Sequence, residues 1–215
     1  LAFGNQNVNV TSAVRNVSVT NSGTAALTIT AASTTGTGAD QFLVTNNCAS
    51  VDPGAPACTI GVSFRPTSSG LKSASLRIES NDPIRPVVTL ALTGTGVAPV
   101  VQQNANTLNF TAKAGKTQNL TVELTNTGTA PLSLIGAPAI TYSPQIEANP
   151  ATDAPLKFSA THNCNNIAPG AKCKVTVTFN PGAGTVNQTF TTVMSLHSNA
   201  LNTPSNVTLN GRRTN

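Results

Sequence analysis

The chain has 215 residues and a formal net charge of +5, from 12 basic and 7 acidic residues. Charged residues make up only 9 % and aromatics 4 %, with no Trp and one Tyr; ordinary globular chains carry about a quarter charged residues. The basic residues are scattered, with Arg212-Arg213 the only adjacent pair, which argues against a nucleic-acid surface built from clustered Lys and Arg interleaved with aromatics.

No run of apolar residues is long enough to insert into a membrane as a helix. The apolar residues, 39 % of the chain, are spread evenly, unlike a disordered composition. About a quarter of the residues are Thr or Asn, and long charged helix formers are scarce. β-branched Thr and Val suit a pleated surface, so the composition predicts an all-β protein with an uncharged polar exterior. The chain opens on strand-like Leu1-Ala2-Phe3 with no signal-peptide pattern and reads as a mature or trimmed product.

Taken in order, Val8, Val10, Val14, Val17 and Val19 mark early strands, with a shift of phase between Val10 and Val14 at a turn or bulge. Ile60-Val62-Phe64 and Leu76-Ile78 alternate with period two, as do Leu120-Val122-Leu124 and Val175-Val177-Phe179 further on. Such alternation signals half-buried strands. Turn residues punctuate the pattern at Asn21-Ser22-Gly23, Asp52-Pro53-Gly54, Ser68-Ser69-Gly70 and Asn81-Asp82-Pro83. No amphipathic helix of ten residues is visible. About seven short strands per domain at this spacing is the pattern of a β-sandwich.

An internal repeat sets the domain count. Asn21-Ser22-Gly23-Thr24-Ala25 matches Asn126-Thr127-Gly128-Thr129-Ala130, and Leu1-x-Phe3 matches Leu108-x-Phe110. Phe64-x-Pro66 matches Phe179-x-Pro181, Ser80-Asn81 matches Ser198-Asn199, and Leu92-x-Gly94 matches Leu209-x-Gly211. The order is kept while the offset drifts, as loop insertions would produce. Domain 1 is therefore expected over 1–97 and domain 2 over 106–215, joined by a linker at 98–105 that Pro99 makes extended and stiff, setting the domains end to end.

The spaced blocks Leu1-x-Phe3-Gly4, Asn21-x-Gly23-Thr24-Ala25, Cys58-Thr59-Ile60-x-Val62-x-Phe64-x-Pro66, Gly70-x-x-x-Ala74-x-Leu76-x-Ile78 and Leu92-x-Gly94-x-Gly96 resemble the bacterial ASH/hydin-type immunoglobulin-like repeat found in "choice-of-anchor D" proteins. The match covers nearly all of domain 1. Domain 2 departs from it, with Ala114-Gly115 in a different turn and Gly211-Arg212-Arg213 in place of the Gly-x-Gly end. The resemblance implies two tandem immunoglobulin-like sandwiches related to major sperm protein and pilus-chaperone folds, in exported bacterial surface proteins. It implies no catalytic residues.

Each repeat carries two cysteines at matching places, around a loop containing Pro53-Gly54-Ala55 or Pro169-Gly170-Ala171. An even count, paired within repeats across a Pro-Gly turn, predicts disulfides Cys48–Cys58 and Cys164–Cys173. A zinc site is the competing reading, but it favours tighter Cys pairs and four ligands, and His162 beside Cys164 has Asn46 as its counterpart. No Cys-x-x-Cys redox pair is present. Disulfides place the protein in an oxidising compartment, secreted or at the cell surface.

Other chemistry lacks its signature. No Gly-x-Ser-x-Gly elbow occurs, and the seven acids Asp40, Asp52, Glu79, Asp82, Glu123, Glu147 and Asp153 are dispersed over turns and strand faces. Asn81-Asp82 reads as a turn rather than a calcium loop, and His197 falls on a solvent face at a strand end. No catalytic residue, metal or cofactor is expected. The expected role is structural or interactive: protein partners, or self-association by strand addition at uncovered edges, with Leu1–Val10 a candidate for exchange between subunits. Carbohydrate binding is the weaker alternative, since Tyr142 alone is available to stack on a sugar.

Overall fold

A computed structural model describes residues 1–142, 157–184 and 186–215. The chain forms two compact units, Leu1–Ala98 and Pro99–Asn215. Unit 1 contains β1 (Ala2–Asn7), β2 (Arg15–Val19), β3 (Leu27–Thr35), β4 (Phe42–Asn46), β5 (Ser50–Val51), β6 (Cys58–Phe64), β7 (Gly70–Ser80) and β8 (Val87–Val97). Unit 2 contains β9 (Val101–Gln103), β10 (Thr107–Lys113), β11 (Gln118–Asn126), β12 (Ala139–Tyr142), β13 (Phe158–His162), β14 (Lys172–Phe179), β15 (Thr189–Leu196) and β16 (Ser205–Thr214). One 3-10 turn, Ala39–Gln41, interrupts unit 1.

Each unit is a sandwich of two sheets. Unit 1 pairs the order β1-β8-β7-β3-β5 with β2-β6-β4; unit 2 pairs β10-β16-β15-β12 with β13-β14-β11-β9. The first long strand of each unit lies parallel to its last, β1 against β8 and β10 against β16. A parallel neighbour needs a long crossover, and here the rest of the unit supplies it. Residues 98–105, expected as a connector, include β9, whose Val101 pairs with Asn126 on β11.

Alternation builds the cores. On β14, Cys173, Val175, Val177 and Phe179 point inward while the residues between them face out. The six phenylalanines shared by the repeats form two matching triads. Ring centroids of Phe42 and Phe64 are 4.8 Å apart, with Phe3 at 5.7 and 5.9 Å from them. Phe158 and Phe179 are 4.9 Å apart, with Phe110 at 5.5 and 5.8 Å. Such offset pairs contribute about 0.5–1.5 kcal/mol beyond their buried area. β1 thus seats Phe3 in its own unit's core.

Two local readings differ from the sequence expectation. Val8, Val10 and Val14 lie in the connection between β1 and β2, not on strands. Asn9 takes the left-handed conformation, φ 65°, and turns the chain there. Ser12 then clasps the end of β6, its N–H donating to Phe64 O at 2.8 Å and its hydroxyl accepting from Phe64 N at 2.9 Å. On β6 the alternation is lost, because Gly61 and Ser63 are buried as well. Val14 covers Gly61 so closely that a Cβ there would stand 2.9 Å from Val14 Cγ1.

Candidate functional site

The four cysteines form two disulfides, Cys48–Cys58 and Cys164–Cys173, with Cα separations of 5.3 and 5.2 Å. Each closes a loop that holds the Pro-Gly turn: Cys48 lies two residues past β4 and Cys58 opens β6, with β5 between them, while Cys164 lies two residues past β13 and Cys173 is the second residue of β14. Cys48 donates its backbone N–H to Asn46 Oδ1 at 2.9 Å. In unit 2 the same bond runs from Cys164 N to His162 Nδ1, 3.1 Å. His162 Nε2 lies 3.2 Å from Gly136 O, so the ring accepts at Nδ1 and donates at Nε2. His162 therefore does the work of Asn46, orienting a disulfide loop. Among the described residues, no group of three His, Cys, Asp or Glu side chains could hold a metal.

The repeated Asn residues are staples, a role that motif reading did not reveal. Asn21 Nδ2 donates to Ala25 O and Val51 O at 2.7 and 2.8 Å, and its Oδ1 accepts from Gly23 N at 2.8 Å. Asn126, fully buried, repeats the set with Ala130 O, Ile167 O and Gly128 N at 2.8, 2.9 and 3.0 Å. Asn81 follows β7 and staples β3, its neighbour in the same sheet, with Thr28 N donating to Asn81 Oδ1; Asn199 accepts Ser133 N in the same way, both at 2.9 Å. An amide offering donors and an acceptor on one short side chain can satisfy several backbone groups where no strand passes.

The candidate surfaces are the outer sheet faces. Across β10, β16 and β15, Thr191 donates to Asn210 Oδ1 at 3.2 Å and Asn210 Nδ2 to Asn109 Oδ1 at 3.0 Å. Next to this row, Thr111, Arg212 and Thr189 edge a shallow trough of about 440 Å³. Arg212 donates to Asn187 Oδ1 at 3.0 Å. Among the described residues the acids remain apart. Asp82 caps the β7–β8 hairpin, accepting Ile84 N and Arg85 N at 2.8 and 3.1 Å, and these bonds lower its pKa. Glu123 accepts Lys172 Nζ at 2.7 Å, which lowers its pKa. His197 is exposed on its strand end. Glu147, Asp153 and the side chain of Tyr142 lie outside the described residues.

A model of the HYDIN/CFA65/VesB-like Ig-like domain matches residues 99–212, just over half of the chain. The chain belongs to this family. An Ig-like domain of this HYDIN/CFA65/VesB-like type is a structural or interaction module. The match falls on unit 2, the repeat whose motifs depart more from the ASH/hydin pattern, and it takes in β9.

Solved structures similar to the chain include a Porphyromonas gingivalis W83 protein of unknown function, 14 % identical over 96 % of this chain and 93 % of that one, TM-score 0.40. The ASH/PapD-like domain 7 of human CEP192 is 21 % identical over 54 % of this chain and 86 % of that domain, TM-score 0.39. The secreted serine protease VesC of Vibrio cholerae is 14 % identical over 86 % of this chain and 46 % of the protease chain, TM-score 0.37. No curated protein sequence matches the chain.

Among the described residues no helix is long and apolar enough to cross a membrane.

Proposed function

We propose that the chain is a non-enzymatic extracellular module: a tandem Ig-like spacer, or a subunit of a surface assembly that meets protein partners. The observation that carries this reading is that each unit has its own phenylalanine triad and its own disulfide. Disulfides persist in oxidising compartments, and two independently stapled sandwiches suit a chain that holds other parts at a distance outside the cell. The outward Thr, Ser and Asn carpets add solubility without a strong charge field.

Fractionation of the native source with thiol alkylation and intact-mass measurement tests it. The expected result is protein in the secreted or surface fraction with no alkylated cysteine. Reduced cysteines in a cytosolic pool would overturn it. Negative-stain imaging of the same material separates the two forms of the reading, since a subunit of an assembly yields filaments or arrays and a spacer does not. The trough beside Asn109, Asn210 and Thr191 favours a second reading, an accessory carbohydrate-binding module. A glycan array on which the protein finds no ligand would remove it.

A further inference from the structure

Unit 2 carries Gly211-Arg212-Arg213 on its last strand where unit 1 carries Gly94-Thr95-Gly96. The two arginines go opposite ways. Arg213 is fully buried and donates to Gln188 Oε1 at 2.9 Å inside the unit. Arg212 is exposed on the outer face of the sheet, and its partner there is an uncharged amide, Asn187 Oδ1, at 3.0 Å.

The strand registers fix what surrounds Arg212. Beside it stand Thr111 on β10 and Thr189 on β15, and the next outward row is Asn109, Asn210 and Thr191. Residues two apart on a strand share a face, so these side chains project together, and all of them line the trough of about 440 Å³. Asn210 is held from one side by Thr191 and from the other by Asn109. That ladder sets the amides in place and leaves the exposed Thr111 and Thr189 hydroxyls turned to solvent. Lys113 pairs with Thr214 and is exposed, which makes it the diagonal neighbour of Arg212 on the same face.

Unit 1 builds the same sheet without this chemistry. Matching Leu92 with Leu209 puts Thr95 at the place of Arg212 and Thr93 at that of Asn210. The registers then put Leu71, Ser73 and Ala2 at the places of Thr189, Thr191 and Asn109. The outward cation of β7, Arg77, is paired with Glu79, whereas β10, β12, β15 and β16 carry no acid at all. The fold therefore does not require the polar row or its cation.

The chemistry selects the ligand. A planar guanidinium grips a carboxylate through two parallel hydrogen bonds, and Asn and Thr exchange hydrogen bonds with hydroxyl groups. Nucleic acid wants denser cations and aromatic rings to stack on, and the outward side chains of the trough include no ring. Peptide addition wants a strand edge, whereas the row centres on β16, which has a neighbour on each side. We propose that this face of unit 2 binds an acidic polysaccharide. One uronate carboxylate sits on Arg212, a second lies toward Lys113, and the sugar hydroxyls meet Asn109, Thr189 and Thr191. This rests on the carbohydrate reading above and names its ligand class.

The test is an NMR titration of the isotopically labelled 215-residue chain with a panel of uronic-acid tetramers of differing sugar and linkage, each beside its neutral counterpart. At least one acidic tetramer should give saturable amide shifts confined to the rows of Arg212 and Asn210. Its neutral counterpart should bind roughly tenfold more weakly or worse, the scale of one hydrogen bond to a charged group. Arg212→Gln keeps hydrogen-bonding capacity without charge, and should bring the acidic tetramer down to the affinity of the neutral one. Asn109→Ala should weaken both alike. Both changes fall at exposed positions, and the remaining amide spectrum reports whether the fold is kept. A single-stranded oligonucleotide of the same charge should leave the bound tetramer in place.

The ways to fail are distinct. Neutral tetramers binding as tightly as acidic ones at this face would overturn the acidic ligand and leave the carbohydrate reading standing. No shift from any tetramer would remove both, with the spacer reading untouched. Acidic binding that survives Arg212→Gln at full strength, or that the oligonucleotide displaces, would overturn the seat on Arg212 in favour of unspecific charge attraction.

Discussion

The ring of Phe64 occupies the space into which a side chain at Gly94 would grow: a Cβ on Gly94 would stand 2.5 Å from Phe64 Cε1. Phe179 stands in the same relation to Gly211, closer still. The repeated Phe-x-Pro and Leu-x-Gly blocks are thus two halves of one contact, a ring from one sheet laid flat against bare backbone of the other. Gly94→Ala and Gly211→Ala should each destabilise the protein by about 1–3 kcal/mol, the cost of overpacking a filled core. Urea denaturation of each variant checks this, and a change below a few tenths of a kcal/mol would mean that the ring yields.

The two Asn staples should not be equal. Asn126 is fully buried, so Asn126→Ala takes away the donor to Ala130 O and the acceptor of Gly128 N inside the protein, while Ile167 O keeps its bond from Leu132 N. A buried group left unsatisfied costs about 1–3 kcal/mol, so the loss at Asn126 should approach that upper figure. Asn21 makes the same bonds on a half-buried edge where water can substitute, and Asn21→Ala should cost about 1 kcal/mol. Equal losses in denaturation would contradict the difference in cover along that edge.

Much of this was legible in the sequence because the repeat holds the residues that build the cores. Phe3, Phe64, Phe110, Phe179, the glycines opposite the rings and the cysteine loops all fall in matched blocks, and the rings and disulfides occupy matching places in the two units. Val8, Val10 and Val14 misled because a valine reads as strand whatever its φ, and the turn depends on the left-handed Asn9 beside them. β9 escaped notice because three residues after a proline carry no alternation; hydrogen bonds to β11 make it a strand.

Removing a disulfide should act on the loop it closes. Cys48→Ser with Cys58→Ser releases a loop of sequence separation 10, and the chain-entropy relation puts the cost at about 2.5–3 kcal/mol. The matching pair of changes at Cys164 and Cys173, separation 9, should cost nearly the same. Denaturation of the two double variants checks both values. A loss well below these in either would show that the hydrogen-bonded loop holds without its covalent tie.

His162 and Asn46 offer a swap. Both accept the N–H of the cysteine two residues on, so His162→Asn should keep the loop while His162→Ala loses that acceptor and about 1 kcal/mol. Thermal denaturation of the pair distinguishes this role from a catalytic or metal-binding one. In either of those, Asn would fail as badly as Ala.

The acid side of the stability curve should carry two marks. Asp82 is held below the ordinary carboxylate range first by its hydrogen bonds from Ile84 N and Arg85 N. Glu123 is held down first by its hydrogen bond from Lys172. A folded pKa below the unfolded one means that the unfolded chain binds protons more readily as pH falls. The stabilisation is therefore present above the unfolded pKa and is lost as pH drops through the folded one. Salt separates the two groups. Lys172 is an exposed, screened charge, whereas the hairpin amides are dipoles at hydrogen-bond contact, so added salt should raise the midpoint of Glu123 and leave that of Asp82 nearly still. Side-chain carboxyl NMR titrations at low and high salt measure both, and equal salt shifts would refute the assignment of Asp82 to its backbone cap.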